Sequence, residues 1–399
     1  MSALVIHAKK LYTAVGDRPK RGQELSQIER EQDVYICIED GMISKITHQR
    51  PSSAARYLSA DLVVPGFVDC HTHIPFYGYR EFDFLKRTGG SSYLSIHTGG
   101  GGIHESVEKL RNASLSEVVR FNLKLVEWLF RKGVTTLEGK TGYGLDRENE
   151  LKQLQALKVL SKMTPVDLIF TFMGAHAIPK EKSQSEYLQM LIDMLDTVKK
   201  ECEFVDIFCD VGAFDVEDTE RYLKIAKEKG FQLRLHADEI QKTGATQLAV
   251  KVGAVSADHL LKITKNDIEE ISKSNTIAVL MPATSFYLSE SYAPARDLID
   301  SNAIVALGSD FNPGSSAVIE PSLVMHLAVK QLKMSPKEVL TAFTLNSAAV
   351  LKLEKKLGTI EVGKQADLLL YNYADLETLT YLIGITPDVV IKRGQVFEN

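Results

Sequence analysis

Leu62-Val63-Val64-Pro65-Gly66-Phe67-Val68-Asp69-Cys70-His71-Thr72-His73 is an apolar run that ends abruptly in two histidines. A short aliphatic, β-branched stretch predicts a buried strand over 62–69 with polar groups at its carboxyl end. Downstream, similar runs alternate with longer amphipathic segments. Strands are predicted over 134–140, 167–174, 205–211, 232–237, 254–258, 276–281 and 304–309. In 117–132, Val118, Phe121, Leu125, Val126 and Leu129 share one helical face, and Gly133 follows as a stop. Eight strand–helix units over about 250 residues are what a (β/α)8 TIM-like barrel needs. A doubly wound open sheet is the alternative. It calls for a glycine-rich turn after the first strand, whereas the one glycine run, Gly99-Gly100-Gly101-Gly102, falls in a long loop.

The two chain ends read differently. Strand 33–38, the turn Asp40-Gly41 and strand 42–46 form a hairpin signal. Strands at 366–371 and 389–392, with Arg393-Gly394 before 395–397, repeat it near the C-terminus. The economical arrangement is a small β-sandwich domain made of residues 1–62 plus 356–399, flanking a barrel over 63–355.

Composition excludes several functions. The 399 residues are 44% apolar and 25% charged, with 47 Lys+Arg against 52 Asp+Glu and a net charge of −5. Disorder is excluded, and capture of nucleic acid or an anionic membrane has no electrostatic support. Leu4-Val5-Ile6 is too short an apolar run for a signal peptide, and no stretch approaches the ~18 apolar residues of a membrane span. A cytoplasmic location is expected. Four scattered cysteines, Cys37, Cys70, Cys202 and Cys209, make neither a disulfide framework nor a CxxC zinc site. Cys70 stands beside the histidines as a possible nucleophile, although a cysteine within an apolar strand is more often inert packing.

In a barrel, catalytic groups stand where strands end at the carboxyl face. The predicted ends carry His71 and His73, then Lys140 and Tyr143, then His176, then His236 and Glu239, then His259, and finally Asp310. Five of the ten histidines fall at these positions; His7, His48, His97, His104 and His326 do not. In an extended His-x-His the alternation of side chains puts both imidazoles on one side. His71 and His73, with His236 and Asp310, therefore make an N,N,N,O set suited to one Zn2+ or Fe2+. Such an ion lowers the pKa of its water from 15.7 to about 7, which points to hydrolysis at a carbonyl-type carbon without a Ser or Cys nucleophile. Glu239 is placed to move the proton to a leaving nitrogen, and His259 to polarise the carbonyl or orient the water. Arg80, nine residues past His71, is a candidate for bidentate capture of a substrate carboxylate. Tyr93 and Tyr143 can close the pocket.

The chain resembles the metal-dependent amidohydrolases, and within them the imidazolonepropionase family. The resemblance runs from Pro65-Gly66-Phe67-Val68-Asp69-Cys70-His71-Thr72-His73 through Lys140-Thr141-Gly142-Tyr143-Gly144-Leu145, Gly174-Ala175-His176 and His236-Ala237-Asp238-Glu239. It continues through Ser256-Ala257-Asp258-His259 to Asp310-Phe311-Asn312-Pro313-Gly314-Ser315-Ser316. It implies hydrolysis of 4-imidazolone-5-propanoate to N-formimidoyl-L-glutamate by a homodimer. His71, His73, His236 and Asp310 then match the metal ligands. Arg80, Tyr143, His176, Glu239 and Ser315 match positions that hold the substrate, and Asn312 and Gly314 positions that meet the product. Tyr93 lines the same pocket, and His259 assists the water. Ile74-Pro75-Phe76-Tyr77-Gly78-Tyr79 is bulkier than the family's usual run before Arg80. Two alternatives accompany this reading. One is a related amidohydrolase acting on another cyclic amide or deaminating a heterocyclic base, which has no need of a carboxylate clamp at Arg80. The other is a silent metal-binding scaffold, against which the full set of acid and base groups argues.

Overall fold

The computed structural model describes residues 2–52, 54–89 and 102–399. Within them the chain forms two sheets. β1 (Ser2–Thr13), β2 (Glu29–Glu39), β3 (Met42–Thr47) and β4 (Ala54–Pro65) come from the N-terminal region. The strands β5 (Phe67–Asp69), β6 (Val134–Lys140), β7 (Asp167–Ala175), β8 (Phe204–Cys209), β9 (Gln232–Ala237), β10 (Ser256–His259), β11 (Ile277–Leu280) and β12 (Val305–Leu307) follow, separated by helices. β13 (Leu368–Tyr371), β14 (Val389–Lys392) and β15 (Gln395–Glu398) end the chain. β5 to β12 lie in sequence order in one eight-stranded sheet whose neighbouring pairs are parallel. This is the expected (β/α)8 architecture.

The sheet closes on itself beyond the ends of its edge strands. Asp310 N–H donates to the His71 carbonyl at 2.9 Å and His73 N–H to the Phe311 carbonyl at 2.9 Å, around a parallel bridge between Thr72 and Phe311. Ser309 N–H caps this seam on the Asp69 carboxylate at 3.0 Å. The approach is close enough to exclude a side chain at Gly308, whose added Cβ would stand 2.8 Å from Cβ of His71.

The predicted strand 62–69 is two strands. β4 ends at Pro65 and belongs to the other sheet, paired with β1 and β13; only Phe67–Asp69 enters the barrel. Proline lacks the N–H a ladder requires. At Gly66 a Cβ would fall 2.3 Å from Thr135 Oγ1, so glycine lets the chain cross between sheets.

The second sheet runs β15-β14-β13-β4-β1-β2-β3, with strands from both chain ends. The expected β-sandwich takes the form of one sheet folded over its own core. Ile6, Ile36 and Ile38 pack in one cluster with Leu368, Leu370 and Ile391, and Ile43 of β3 exchanges hydrogen bonds with Lys364 and Gly363, in the segment that leads into β13. The hairpin turn forms as its residues require, with φ of 49° at Asp40 and 78° at Gly41. Sequence reading missed β1, which lies between β4 and β2 in this sheet. Its apolar positions Leu4, Ile6, Ala8 and Leu11 are interrupted by Lys9 and Lys10, which point outward to Asp61 and Asp375 at 2.6 and 2.5 Å.

The bulky run before Arg80 packs outward, onto the helix Leu115–Arg131. Phe76, Tyr77 and Tyr79 all meet Phe121, at ring distances of 5.7, 5.5 and 5.2 Å. Asn122 brackets the Phe76 backbone, accepting from its N–H at 3.2 Å and donating to its carbonyl at 2.7 Å.

Because Gly308 touches a histidine Cβ across the closing seam, Gly308→Ala is expected to cost about 1–3 kcal/mol by overpacking. A lowered midpoint in thermal unfolding followed by circular dichroism checks this; an unchanged midpoint rejects the seam as a tight contact.

Candidate metal centre and active site

The strand ends bring His71, His73 and Asp310 together as one group of possible ligands and set His236 against His73. His73 Nε2 lies 3.3 Å from His236 Nε2 and 3.2 Å from Asp310 Oδ1, and His71 Nε2 lies 3.6 Å from the same oxygen. A tetrahedral ion with bonds of about 2.0–2.1 Å needs ligand atoms about 3.4 Å apart. These spacings fit. His71 Nε2 is moreover buried with no hydrogen-bond partner among the described residues, a cost that a ligand would remove. Burial first, and neighbouring cationic groups second, hold His71 and His73 well below the ordinary histidine range, so both are neutral, as ligands must be.

The imidazoles are oriented from behind. His71 Nδ1 stands 2.6 Å from Asp258 Oδ2 and His236 Nδ1 3.1 Å from Asp206 Oδ1. Asp310 is fixed by a 2.7 Å bond from Thr284 Oγ1 to its Oδ2. Neither Asp206 nor Asp258 was assigned a role from sequence. Their signal was available: with Glu138, Lys140 and Arg234 they are charged residues inside strands of a closed barrel, where a charge has to be paired. Each of the five meets at least one opposite charge. Lys140 meets Asp206 and Glu138 at 2.7 and 2.8 Å, Arg234 meets Asp258 at 2.6 Å and also pairs with Glu138. Burial opposes the charge on Lys140, as does Arg234, but Asp206, Glu138 and Asp258 outweigh both and hold it above its usual range. Asp206, His236 and Asp258 also form a compact group of potential ligands, yet their carboxylates are already met by these two cations.

His73, His236 and Asp310 line a cavity of about 540 Å3. Glu239 enters from its side, with Oε2 3.5 Å from His259 Nε2. Burial, then the nearby Asp310 and Asp210, pushes the Glu239 carboxyl well above the usual carboxylate range. Burial likewise pushes His259 down to about 3, against the pull of Asp310, so its imidazole is neutral. In His236-Ala237-Asp238-Glu239 the roles divide. Asp238 turns away to cap the following helix, accepting from the N–H groups of Thr243, Gly244 and Thr246 at 2.6, 3.0 and 3.0 Å. Three of these strand ends leave the extended region, with φ of 49° at Asp238, 77° at His259 and 54° at Asp310, a strain that the surrounding hydrogen bonds sustain.

The opposite wall is aromatic. His176 stacks on His73 at 4.8 Å and meets the edge of Tyr143 at 5.3 Å. The turn carrying Tyr143 is held by the helix Arg147–Met163. Gln153 Oε1 accepts from the N–H groups of Gly142, Tyr143 and Gly144 at 3.1, 3.0 and 3.1 Å, while its Nε2 donates to the Pro75 carbonyl at 2.6 Å. One side chain thus joins the loop after β6 to the loop that leads to Arg80.

Arg80 is 6% exposed and lines the cavity, with Nε and Nη1 buried and unpartnered among the described residues. Its guanidinium lies against Gly314, where a Cβ would fall 1.0 Å from Nη2. Asn312 also lines the cavity, but its side chain is occupied within its own loop. Nδ2 donates to the Asp310 carbonyl and Ser315 Oγ at 2.7 and 2.8 Å, and Oδ1 accepts from Gly314 and Ser315 N–H at 2.7 Å each. Phe84, Phe208 and Tyr287 line the cavity and were not foreseen; isolated aromatics at helix and strand ends carry no pattern that separates them from packing. None of the six residues 74–79 lines it. Tyr93 lies outside the described residues. Cys70 is fully buried, and burial raises its thiol to about 12, which fits inert packing.

Comparison with known proteins agrees with this geometry. Residues 62–396 match the model of the amidohydrolase family. An imidazolonepropionase of Kosmotoga olearia is 44% identical over 396 residues, covering 98% of this chain and 97% of the relative. One from Caldanaerobacter subterraneus subsp. tengcongensis is 41% identical, covering 96% and 94%. Among solved structures, an adenosine deaminase from Xanthomonas campestris with bound zinc superposes with a TM-score of 0.71 at 19% identity, over 98% of this chain and 92% of that one. An A. niger ochratoxinase gives 0.71 at 16%, over 99% and 95%; these two bear on the fold alone. No helix among the described residues is long and apolar enough to cross a membrane. A barrel with histidines and an aspartate gathered at its carboxyl face, together with relatives of this identity along nearly the whole length, establishes that the chain belongs to the amidohydrolase family, among its imidazolonepropionases.

Proposed function

We propose that the chain hydrolyses the cyclic amide of 4-imidazolone-5-propanoate to N-formimidoyl-L-glutamate, with one divalent ion, Zn2+ or Fe2+, held by His71, His73, His236 and Asp310. The observation that carries the substrate is Arg80: a buried guanidinium with two donors unpartnered among the described residues, facing the cavity lined by His73, His236 and Asp310. A buried cation without a counter-charge is costly, and a propanoate carboxylate supplies that charge with matching bidentate geometry. A heterocyclic base offers nothing to it.

The reaction adds water across a C–N bond. Oxygen joins the ring carbonyl carbon, the bond to the adjacent nitrogen opens, and a proton passes to that nitrogen. The ion, when bound, supplies Lewis acidity that brings the pKa of water from 15.7 to about 7. The chain's own residues do the rest. Arg80, with Gly314 leaving room for its guanidinium, anchors the propanoate. Tyr143 and His176 form the wall against the flat ring, and Ser315 borders it from the last loop. Glu239 is the carboxyl that carries the proton to the leaving nitrogen, and His259, neutral and 3.5 Å from it, orients the attacking water. Asn312 keeps the loop between Asp310 and Ser315 in shape.

The direct test is the disappearance of freshly prepared 4-imidazolone-5-propanoate by ultraviolet absorbance, before chelation, after it, and after restoring zinc or iron. Loss of turnover on chelation and recovery on restoration is expected; no turnover from metal-replete protein rejects the substrate.

Arg80→Ala should raise KM about 10- to 100-fold, since a hydrogen bond to a charged group contributes about 1.5–3 kcal/mol. Gly314→Ala should move KM the same way by displacing the guanidinium, with kcat changed less. Steady-state kinetics decide, and an unmoved KM in Arg80→Ala removes the carboxylate clamp.

Glu239→Gln should lower kcat by about 10^2–10^4 as general acid–base catalysis is lost, with metal content by elemental analysis unchanged. An unaltered kcat excludes Glu239 as the proton carrier.

A further inference from the structure

Behind the candidate ligands lies a closed ionic network whose members are all buried: Glu138, Lys140, Asp206, Arg234 and Asp258 are each 0% exposed. It has two arms joined at one residue. In the first arm Lys140 Nζ donates to Asp206 Oδ2 at 2.7 Å, and Asp206 Oδ1 faces His236 Nδ1 at 3.1 Å. In the second, Arg234 Nη2 donates to Asp258 Oδ2 at 2.6 Å, and the same oxygen faces His71 Nδ1 at 2.6 Å. Glu138 joins the arms by pairing with both cations, and is itself steadied by a 2.5 Å bond from Thr171 Oγ1. Arg234 is fixed further by the Cys70 carbonyl at 2.8 Å and Ser256 Oγ at 2.9 Å.

The polarity of these bonds runs one way. Ammonium and guanidinium groups can only donate, and an ionised carboxylate can only accept. A carboxylate held by a cation on one side therefore accepts from the imidazole on the other, which must place its proton on Nδ1. The lone pair is then on Nε2, the atom turned toward His73 and Asp310.

We propose that Lys140 and Arg234 are positioning residues of the metal centre, each fixing one histidine as its Nδ1–H tautomer through its own carboxylate: Lys140 through Asp206 for His236, and Arg234 through Asp258 for His71. Glu138 locks the two arms together. The centre is thus oriented before an ion arrives. This rests on the reading of His71 and His236 as ligands and is independent of the substrate.

The test is made on metal-free full-length protein carrying 15N-labelled histidine, whose ring nitrogen shifts distinguish the two tautomers. In the unaltered protein His71 and His236 should both be Nδ1–H; either one found as Nε2–H, or as a mixture, overturns the proposal. Lys140→Met should release His236 and leave His71 as it was, and Arg234→Met should do the reverse. A general loosening of the fold moves both together and overturns the two-arm assignment. Zinc affinity, measured by competition with a chromophoric chelator, should fall about 10- to 100-fold in each variant, the usual effect of removing an outer partner of a ligand; unchanged affinity in both also overturns it. Zinc binding absent from the unaltered protein is a failure of the ligand reading instead, and the tautomer spectrum keeps the two failures apart. The unaltered spectrum decides the matter even where a variant does not fold.

Discussion

Closing the barrel and assembling its chemistry are one event in this protein. β5 and β12 meet only past their ends, through backbone bonds between Asp310 and His71 and between His73 and Phe311. Three of the residues that carry the bonds of the seam, His71, His73 and Asp310, are also candidate ligands. A strand pair that closes a barrel must match register, and the register fixed here decides which side chains share a point. Gly308 permits the approach, and Asp69 receives the Ser309 N–H at 3.0 Å to hold it. The rest of the site depends on that seam, because Glu239, His259 and Arg80 are placed relative to it.

A second constraint follows from putting charge inside a barrel. The interior has little water, so each charge needs a partner of opposite sign with good geometry. The chain answers with alternating carboxylates and cations across β6, β8, β9 and β10, which end against the backs of His71 and His236. These charges add little net stability compared with apolar packing. What they provide is direction: they determine which nitrogen of each imidazole faces the cavity. On the cavity side, by contrast, Arg80 Nε and Nη1 have no partner among the described residues, and this asymmetry separates the residues that build the centre from those that meet a ligand.

Much of the architecture was legible in the chain. Alternation of apolar runs with amphipathic segments gave seven of the barrel strands nearly as they stand, because buried parallel strands read as continuous apolar runs. The turn at Asp40-Gly41 was legible for its positive φ. The strand over 62–69 was misread as one element, since a window of apolar residues does not reveal that Pro65 and Gly66 pass the chain from one sheet to another. β1 escaped for a related reason: its lysines face outward to partners far along the chain. The candidate ligands were read from strand-end position and from the resemblance of motifs. The partners behind it were not singled out, although charged residues within apolar strands were visible, because nothing local says which carboxylate meets which imidazole.

Sequence by itself determined the kinds of groups and their order: the barrel's repeat, the small sheet drawn from both ends, and the histidines, carboxylates and arginine at the ends of strands. These follow from periodicity and from chemistry that one residue or one short motif carries. Only the tertiary structure decided the couplings. It showed that Arg80 lies on Gly314, that Gln153 joins two loops, that Asn312 is occupied within its own loop, and that Lys140 and Arg234 stand behind two different histidines. Hydrogen bonds and ion pairs act over about 3 Å, while most of these partners, those of Asn312 apart, lie tens to hundreds of residues away in the chain. Their meeting is set by how the strands close into a barrel.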